Sequence, residues 1–279
     1  MRFRIAGVTL EKAPPGVDPL TPSVARMYDY FLGGKDHFAV DREAAEAINA
    51  ISPDAKELAR ANREFLGRAV RHLIDQGVRQ FLDIGAGLPT RDNVHEVALR
   101  HAPDCRVVYV DNDPMVLVHA RAILADNPHT VVAEGDLREP AWILGDPDVR
   151  AHLDFTQPVA VLMVAVLHFV TDDEEARRHV AGFRDALAPG SHLVISHMSP
   201  GEAFGDDLTA GKEIYSKSSA GGLAFRTHDE VLSLFDGFTL AEPGLVEIAD
   251  WRPDDPVARA LTTSSSGAIG LAGVGRLDS

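Results

Sequence analysis

Cysteine occurs once in the 279 residues, at Cys105. An intramolecular disulfide is therefore impossible, and a cysteine metal cluster is excluded. A lone thiol suits a reducing compartment. Long hydrophobic runs are missing too. The longest, VAVLMVAVLHFV at 159–170, is too short to cross a bilayer and contains His168. The opening MRFRIAGVTLEKAPPG lacks the apolar core of a signal peptide. These readings make a cytoplasmic protein, without a membrane partner, the expectation. Positive charge is scarce: 27 Lys and Arg stand against 42 Asp and Glu, a net charge of -15. Such a chain repels phosphate backbones and has no basic run to build a local groove, so nucleic acid is not expected as a partner. None of the 12 histidines lies in an H-E-x-x-H or comparable spacing, and no metal site is expected.

What remains is an ordinary globular composition, 45% hydrophobic and 25% charged. A chain of this length buries a full core without staples. Residues 1–20 read as an irregular arm. Thr21-Pro22 then signals a helix start, and Gly33-Gly34 its end. A short helix is expected after Asp41. Ser52-Pro53 opens a longer one, with Leu58, Phe65, Leu66, Ala69, Val70 and Leu73 at helical spacing and Gly77 as its stop. Arg60, Arg63, Arg68 and Arg71 fall mostly on its polar face.

From residue 79 onwards strands and helices alternate. Strands are expected at 79–85, 106–112, 129–136, 158–169 and 191–197. Helices are expected at 91–101, at 114–125 and, behind a Thr171–Glu174 capping box, up to Leu187. A loop-rich connection holds Trp142. A helix near 206–216, a Thr227–Glu230 capping box and two final strands, FTLAEPGLVEI and AIGLAGVGRL, complete the reading, with TTSSSG joining those strands. Such alternation argues for an α/β fold, a mostly parallel sheet with helices on both faces.

The first strand runs into Asp83-Ile84-Gly85-Ala86-Gly87. Glycines at a strand-to-helix turn let the backbone approach a ligand and leave amides free beside it. A dinucleotide fingerprint needs a glycine or alanine where this chain has Thr90. Asp83, directly before the turn, suits an amino group and opposes a pyrophosphate. The second strand ends at Asp111-Asn112, placed to accept from both ribose hydroxyls, and the third at Asp136-Leu137, placed for an adenine amino group. Three acidic positions then line the carboxyl edge where open α/β sheets bind ligands. S-adenosylmethionine (SAM) has the matching parts: an amino-acid end, a ribose, an adenine and no phosphate. Each residue also has a plainer reading, as a tight turn, a helix cap or a surface turn.

PSVARMYDYFLGGKDHFAVDRE, NREFLGRAVRHL, QFLDIGAGLPT, VVYVDNDP and the terminal GVGR together resemble the actinobacterial S-adenosyl methyltransferase family. The resemblance spans nearly the whole chain. It implies a Rossmann-like class I methyltransferase fold with a seven-stranded sheet, and a SAM site at Asp83, Gly85, Gly87, Asp111 and Asp136. It supports the cofactor more firmly than the acceptor.

The segment TPSVARMYDYFLGGKDHF is placed to lie over that site. We therefore expect residues 1–77 to form an arm and an N-terminal helical cap, and 78–279 the SAM-binding domain, in one compact unit. Tyr28 or Tyr30 could face the sulfonium, an attraction of about 0.5–2 kcal/mol. Their hydroxyls, or Lys35, could hold the methionyl carboxylate, and Gly33 and Gly34 would let the backbone turn close by. A helix packing its aromatics on the core would explain the same residues. His168, after the fourth strand, is the candidate general base, with an unperturbed pKa of about 6.5. His197 is a weaker candidate, and a buried structural histidine is the plain alternative. Glu213 and Tyr215 are positioned to wall an acceptor pocket. The fourth strand lacks the Asn/Asp-Pro-Pro-aromatic ending that resembles methylases of DNA bases and protein amides, which favours a small-molecule acceptor. A SAM-binding regulatory protein and an NAD-dependent oxidoreductase are the competing readings.

Overall fold

The computed structural model describes residues 13–90, 92–124, 127–200, 206–255 and 268–278. Three helices precede the sheet. Helix α1 (Val24–Phe31) is capped by Ser23, whose hydroxyl accepts from the Arg26 amide. Thr21 does not cap it, because the cap position falls two residues later and the Thr21 hydroxyl bonds the Asp18 carboxylate instead. Helix α2 (Ala39–Ile51) is longer than the short element expected after Asp41, since Phe38 and Asp41 complete its first turn. Helix α3 (Ala55–Asp75) buries Phe65, Leu66, Ala69, Val70, Leu73 and Ile74 at the expected spacing. Gly77 ends it at φ +88°.

Strand and helix then alternate: β1 (Gln80–Ile84), α4 (Val94–His101), β2 (Arg106–Asp111), α5 (Pro114–Leu124) and β3 (Thr130–Glu134). The connection around Trp142 is helical rather than loop-rich. It forms α6 (Pro140–Gly145) and α7 (Pro147–His152), each with proline in its first turn, where no amide partner is lost. Strand β4 (Ala160–Val164) ends well before Phe169. Ala165 takes φ +57° and the chain enters a tight 3-10 turn, Leu167–Phe169, which carries His168. Helix α8 (Asp173–Arg184) is capped by Asp172, not Thr171, because the Asp172 carboxylate takes the Glu175 amide. Strand β5 (His192–Pro200), α9 (Asp206–Ser216) and α10 (His228–Leu232) follow, with the Thr227–Glu230 capping box formed. The last strands are β6 (Thr239–Leu240), β7 (Val246–Glu247) and β8 (Ala268–Arg276). The TTSSSG segment lies outside the described residues.

These strands form one 8-stranded sheet in the order β3-β2-β1-β4-β5-β8-β6, with β7 also paired to β8. Strands β1 to β5 run parallel, and β8 runs antiparallel to β5, β6 and β7. The strand count exceeds the expected seven for a local reason. The FTLAEPGLVEI stretch breaks into β6 and β7, because a turn with Gly244 at φ +91° interrupts its pairing to β8. Strand order reverses between β1 and β4, with β2 and β3 added on one side of β1 and β4 and β5 on the other, so the carboxyl ends of the parallel strands open a crevice there.

One face of the sheet packs on α3, α4 and α5, around Phe65, Phe81, Val107 and the fully buried Trp251. The Phe65 and Trp251 rings meet edge to face at 5.4 Å. The other face packs on α6, α7, α8 and α10, around Val161, Met163 and Phe183. A third cluster joins α1, α2 and α9 through Met27, Phe31, Ile48, Tyr215 and Leu223. It roofs the crevice. Among the described residues no helix is long and apolar enough to cross a membrane, and no group of His, Cys, Asp and Glu is arranged to hold a metal ion.

Buried carboxylates fix the roof. Asp41 is fully buried and accepts from the Ser23 amide (2.9 Å), the Phe38 amide (2.7 Å) and Arg26 Nε (2.8 Å). Asp29 is buried too and accepts from the Asp36 amide at 2.9 Å. The Gly33-Gly34-Lys35-Asp36 loop thus folds around a carboxylate of its own helix. A Cβ on Gly34 would collide with that carboxylate. Ser23 Oγ donates to Asp113 Oδ2 at 2.5 Å, which ties α1 to the loop after β2.

Candidate functional site

A cavity of about 250 Å³ opens at the carboxyl ends of β1 to β5, beneath the roof. Along its β1–β2–β3 side lie the three expected acids with their neighbours: Asp83, Gly85, Gly87, Asp111, Asn112, Asp136 and Leu137 all line it. Hydrophobic register explains the convergence. Asp83 is the penultimate residue of β1 and Asp111 the last of β2, each preceded by buried apolar residues, so each carboxyl is carried to the edge of a buried ladder.

Burial pushes the Asp83 carboxyl up to about 7, with Arg63 opposing the rise and Asp111 adding to it. Asp111 is pushed up to about 6 by burial, against the amides of Asp113 (2.9 Å) and Gly87 (2.8 Å) that its oxygens accept. Two acids held above their ordinary range at adjacent strand ends await donors or a cation. Asp136 differs. Burial would raise it, but hydrogen bonds from Arg138 and Asn112 outweigh this and hold it below its ordinary value. Arg138 grips both its oxygens, at 2.9 and 2.5 Å.

The glycines divide their labour. Gly85, at φ +71°, is held against the β4 end, where a Cβ would sit 2.5 Å from Val166 Cγ2. Gly87, at φ +67°, faces open space, and nothing lies within 4 Å of its Cβ position. The first glycine thus serves packing, whereas the second leaves room for a ligand.

Of the roof residues, Tyr28 lines the cavity. Its hydroxyl is engaged, donating to the Ala59 carbonyl (3.0 Å) and accepting from Asn62 Nδ2 (2.9 Å), which leaves the ring as the face it offers. Tyr30, Gly33 and Lys35 are not in the lining. Tyr30 lies about 200° around α1 from Tyr28, and its hydroxyl donates to Glu46 with Lys56 over its ring. Gly33 and Lys35 are exposed on the far side of the Asp29 loop. Glu213 is exposed and pairs with Lys217 at 2.9 Å, whereas Tyr215 does line the cavity.

His168 is buried in the lining. Burial, then the nearby His197 and Arg226, keep its imidazole well below the usual range and so neutral. No partner bonds its Nδ1. His197 cannot serve as a base, since its Nδ1 meets the Met198 carbonyl (2.7 Å) and its Nε2 meets Arg226 (2.8 Å).

Two lining residues escape a reading of the sequence. Asn62 bridges Tyr28 to Ser196, whose Oγ donates to Asn62 Oδ1 at 2.6 Å. Arg63 lines the cavity close enough to Asp83 to act on its charge, and also donates to Asn93 at 3.2 Å. Their spacing on α3 looks solvent-facing, and no periodicity distinguishes Arg63 from Arg60. The only hint was the position of NREFLGRAVRHL one helix ahead of the glycine turn.

These residues suit SAM. The open position at Gly87, the raised Asp83 and Asp111, and the cationic Arg63 beside them match a ligand that offers an ammonium, hydroxyls and a carboxylate. A pyrophosphate would face two carboxyls. Residues 10–278 match a family described as S-adenosyl methyltransferase. The fold is similar to a crystal structure from Thermobifida fusca YX with a provisional methyltransferase assignment, at 44% identity and TM-score 0.87, covering 95% of this chain and 98% of that one. It is also similar to a DUF574 family protein from Streptomyces avermitilis MA-4680, at 39% identity and TM-score 0.84, covering 92% of this chain and 97% of that one. No functionally curated protein matches the chain. Matched along nearly its whole length, the chain belongs to the S-adenosyl methyltransferase family and is a SAM-dependent methyltransferase of the class I fold.

Proposed function

We propose that the chain transfers the methyl group of SAM to a small-molecule acceptor, holding the cofactor along β1, β2 and β3 and the acceptor beneath the roof. Bound there, SAM supplies a methyl group on a cationic sulfur, open to in-line displacement. Asp83 takes the amino group and Arg63 the carboxylate of its methionyl end. Asp111 accepts from the ribose hydroxyls. Leu137 packs on the adenine, and Asp136, already gripped by Arg138 and Asn112, shapes the adenine side through that network. Gly87 leaves the backbone close to the ligand, and the Tyr28 ring closes the site from above. His168 stands at the end of β4, on the acceptor side.

The observation that carries this reading is the pair of buried carboxyls at adjacent strand ends, facing one cavity with Arg63. The cavity continues past the rim toward β4, β5 and α9, and this room for an acceptor favours the enzyme over a protein that only senses SAM. The acidic net charge of -15 favours a small molecule over nucleic acid. Roofing over the site by α1 to α3 supports a helical cap within residues 1–77. Much of the rate would come from positioning, since holding reactants in line removes a large entropic barrier.

Calorimetric titration with S-adenosylhomocysteine tests the assignment. Arg63→Ala and Asp111→Asn each remove a hydrogen bond to or from a charged group, about 1.5–3 kcal/mol, and should weaken binding about 10- to 100-fold. Lys35→Ala and Tyr30→Phe should bind as the parent does. Parent-like binding by Arg63→Ala and Asp111→Asn, or loss at Lys35, would overturn the residue assignment.

A further inference from the structure

The cavity changes character along its length. Among the described residues, all its charged lining side chains, Arg63, Asp83, Asp111, Asp113, Asp136 and Arg138, lie on α3 or at the ends of β1 to β3. Beyond them, among the described residues, the walls from α1, α2, β4, β5, α9 and β8 contribute no charged side chain to the lining. That half is aromatic and aliphatic, with Phe169, Met198, Leu223 and Phe225 around Tyr215. The Phe169 and Tyr215 rings pack 5.8 Å apart, forming one aromatic wall.

Polar groups in this half are mostly engaged. Tyr28 and Asn62 bond each other, Ser196 bonds Asn62, and both His197 nitrogens are taken. His168 and Tyr215 are the exceptions the geometry sets apart. His168 is 4% exposed with its Nδ1 unbonded. Among the described residues no hydrogen bond holds the Tyr215 hydroxyl where it lines the cavity, and burial pushes it up to about 12.

Resting on the proposed cofactor site, we propose that the acceptor is an uncharged aryl alcohol whose ring lies against Phe169 and Tyr215 and whose hydroxyl meets His168 and Tyr215. A carboxylate or ammonium acceptor would be stripped of water in a half-cavity whose described residues offer no countercharge, a large penalty. An apolar ring instead gains from burial. A hydroxyl both donates and accepts, and so satisfies the neutral imidazole and the tyrosine hydroxyl together. In the transfer, an oxygen lone pair of the acceptor forms the new bond to the methyl carbon. The methyl–sulfur bond breaks with its electron pair left on sulfur, giving neutral S-adenosylhomocysteine. The hydroxyl proton passes to the His168 imidazole and then to solvent. An oxygen that has accepted a methyl group sheds its proton readily, so an imidazole of low basicity suffices.

The test uses the full chain saturated with S-adenosylhomocysteine and three probes of one shape: p-ethylphenol, p-ethylbenzoate and p-ethylbenzylamine. Calorimetry should show p-ethylphenol binding at least about tenfold more tightly than either charged probe. Tyr215→Phe and His168→Gln should each weaken p-ethylphenol by about fivefold or more, while keeping parent-like affinity for S-adenosylhomocysteine, which shows that the variants are folded. Equal or tighter binding of a charged probe overturns the proposal. So does parent-like p-ethylphenol affinity in both variants, or no p-ethylphenol binding by a protein that binds S-adenosylhomocysteine. Failure to bind S-adenosylhomocysteine at all instead overturns the cofactor site and, with it, this inference.

Discussion

Asp83 and Asp111 set the protein's response to pH. Both carboxyls are raised by burial, to about 7 and about 6, so the folded apo-protein holds protons there that the unfolded chain releases near its ordinary value of 3.8. Folding at these groups is therefore favoured by acid. As pH rises from about 4 through about 7, the apo-protein loses stability, with a slope of about 1.4 kcal/mol per pH unit for each group within its own window. Cofactor affinity runs the other way, because the ammonium and ribose hydroxyls need the carboxylates. Denaturant unfolding of the apo-protein and calorimetry of S-adenosylhomocysteine, each measured from pH 5 to 8, should give opposite trends (a range set by these two groups). Parallel trends would contradict the assignment. In Asp83→Asn the affinity should be lower and its pH dependence above pH 6 flatter, since the higher of the two titrations is gone.

Among the elements, the α1–α2 roof is held by buried charge rather than by glycine flexibility. Removing Asp41 leaves the buried Arg26 guanidinium without its ion partner and two amides without an acceptor. Asp41→Ala should therefore cost about 3–5 kcal/mol in urea unfolding. The same variant should weaken S-adenosylhomocysteine, because α1 carries Tyr28 and the Ser23 tie to Asp113. A loss below about 1 kcal/mol would show that the pair is relaxed by water. Gly34→Ala, by pressing on Asp29, should destabilise by about 1–3 kcal/mol. These elements also show which features the sequence made legible. Strand-to-helix alternation put Asp83, Asp111 and Asp136 on one rim, because strand ends follow directly from apolar runs and glycine turns. Tyr28 and Tyr30 could not be separated, as only tertiary packing decides which side of a two-residue step faces the ligand. Lys35 looked like an anion-binding residue of a glycine loop, yet the loop's geometry answers to Asp29. Arg63 is hidden among similar arginines on α3, and Arg68 shows why: it is buried for a different purpose, spending its guanidinium on the Trp251 and Ile248 carbonyls.

For the whole molecule, sheet order explains where the chemistry sits. Reversal of the strand order between β1 and β4 opens one crevice, the charged strand ends fall on its β1–β3 side, and the neutral ends of β4 and β5 on the other. In the proposed arrangement cofactor and acceptor are thereby separated by polarity, with His168 and Phe169 on the acceptor side. The core beneath must stay rigid for that division to hold. Phe65→Ala, which removes a fully buried ring packed on Trp251, should cost about 3–5 kcal/mol in urea unfolding, and an effect under about 1 kcal/mol would mean that α3 repacks freely over the sheet. The most direct test of the account is a crystal structure of the chain with S-adenosylhomocysteine. It should place the amino group on Asp83, the carboxylate on Arg63 and the ribose hydroxyls on Asp111, with the sulfur turned toward the half-cavity of His168 and Tyr215. A ligand lying on Lys35 and Tyr30, or one whose sulfur points away from His168, would contradict it.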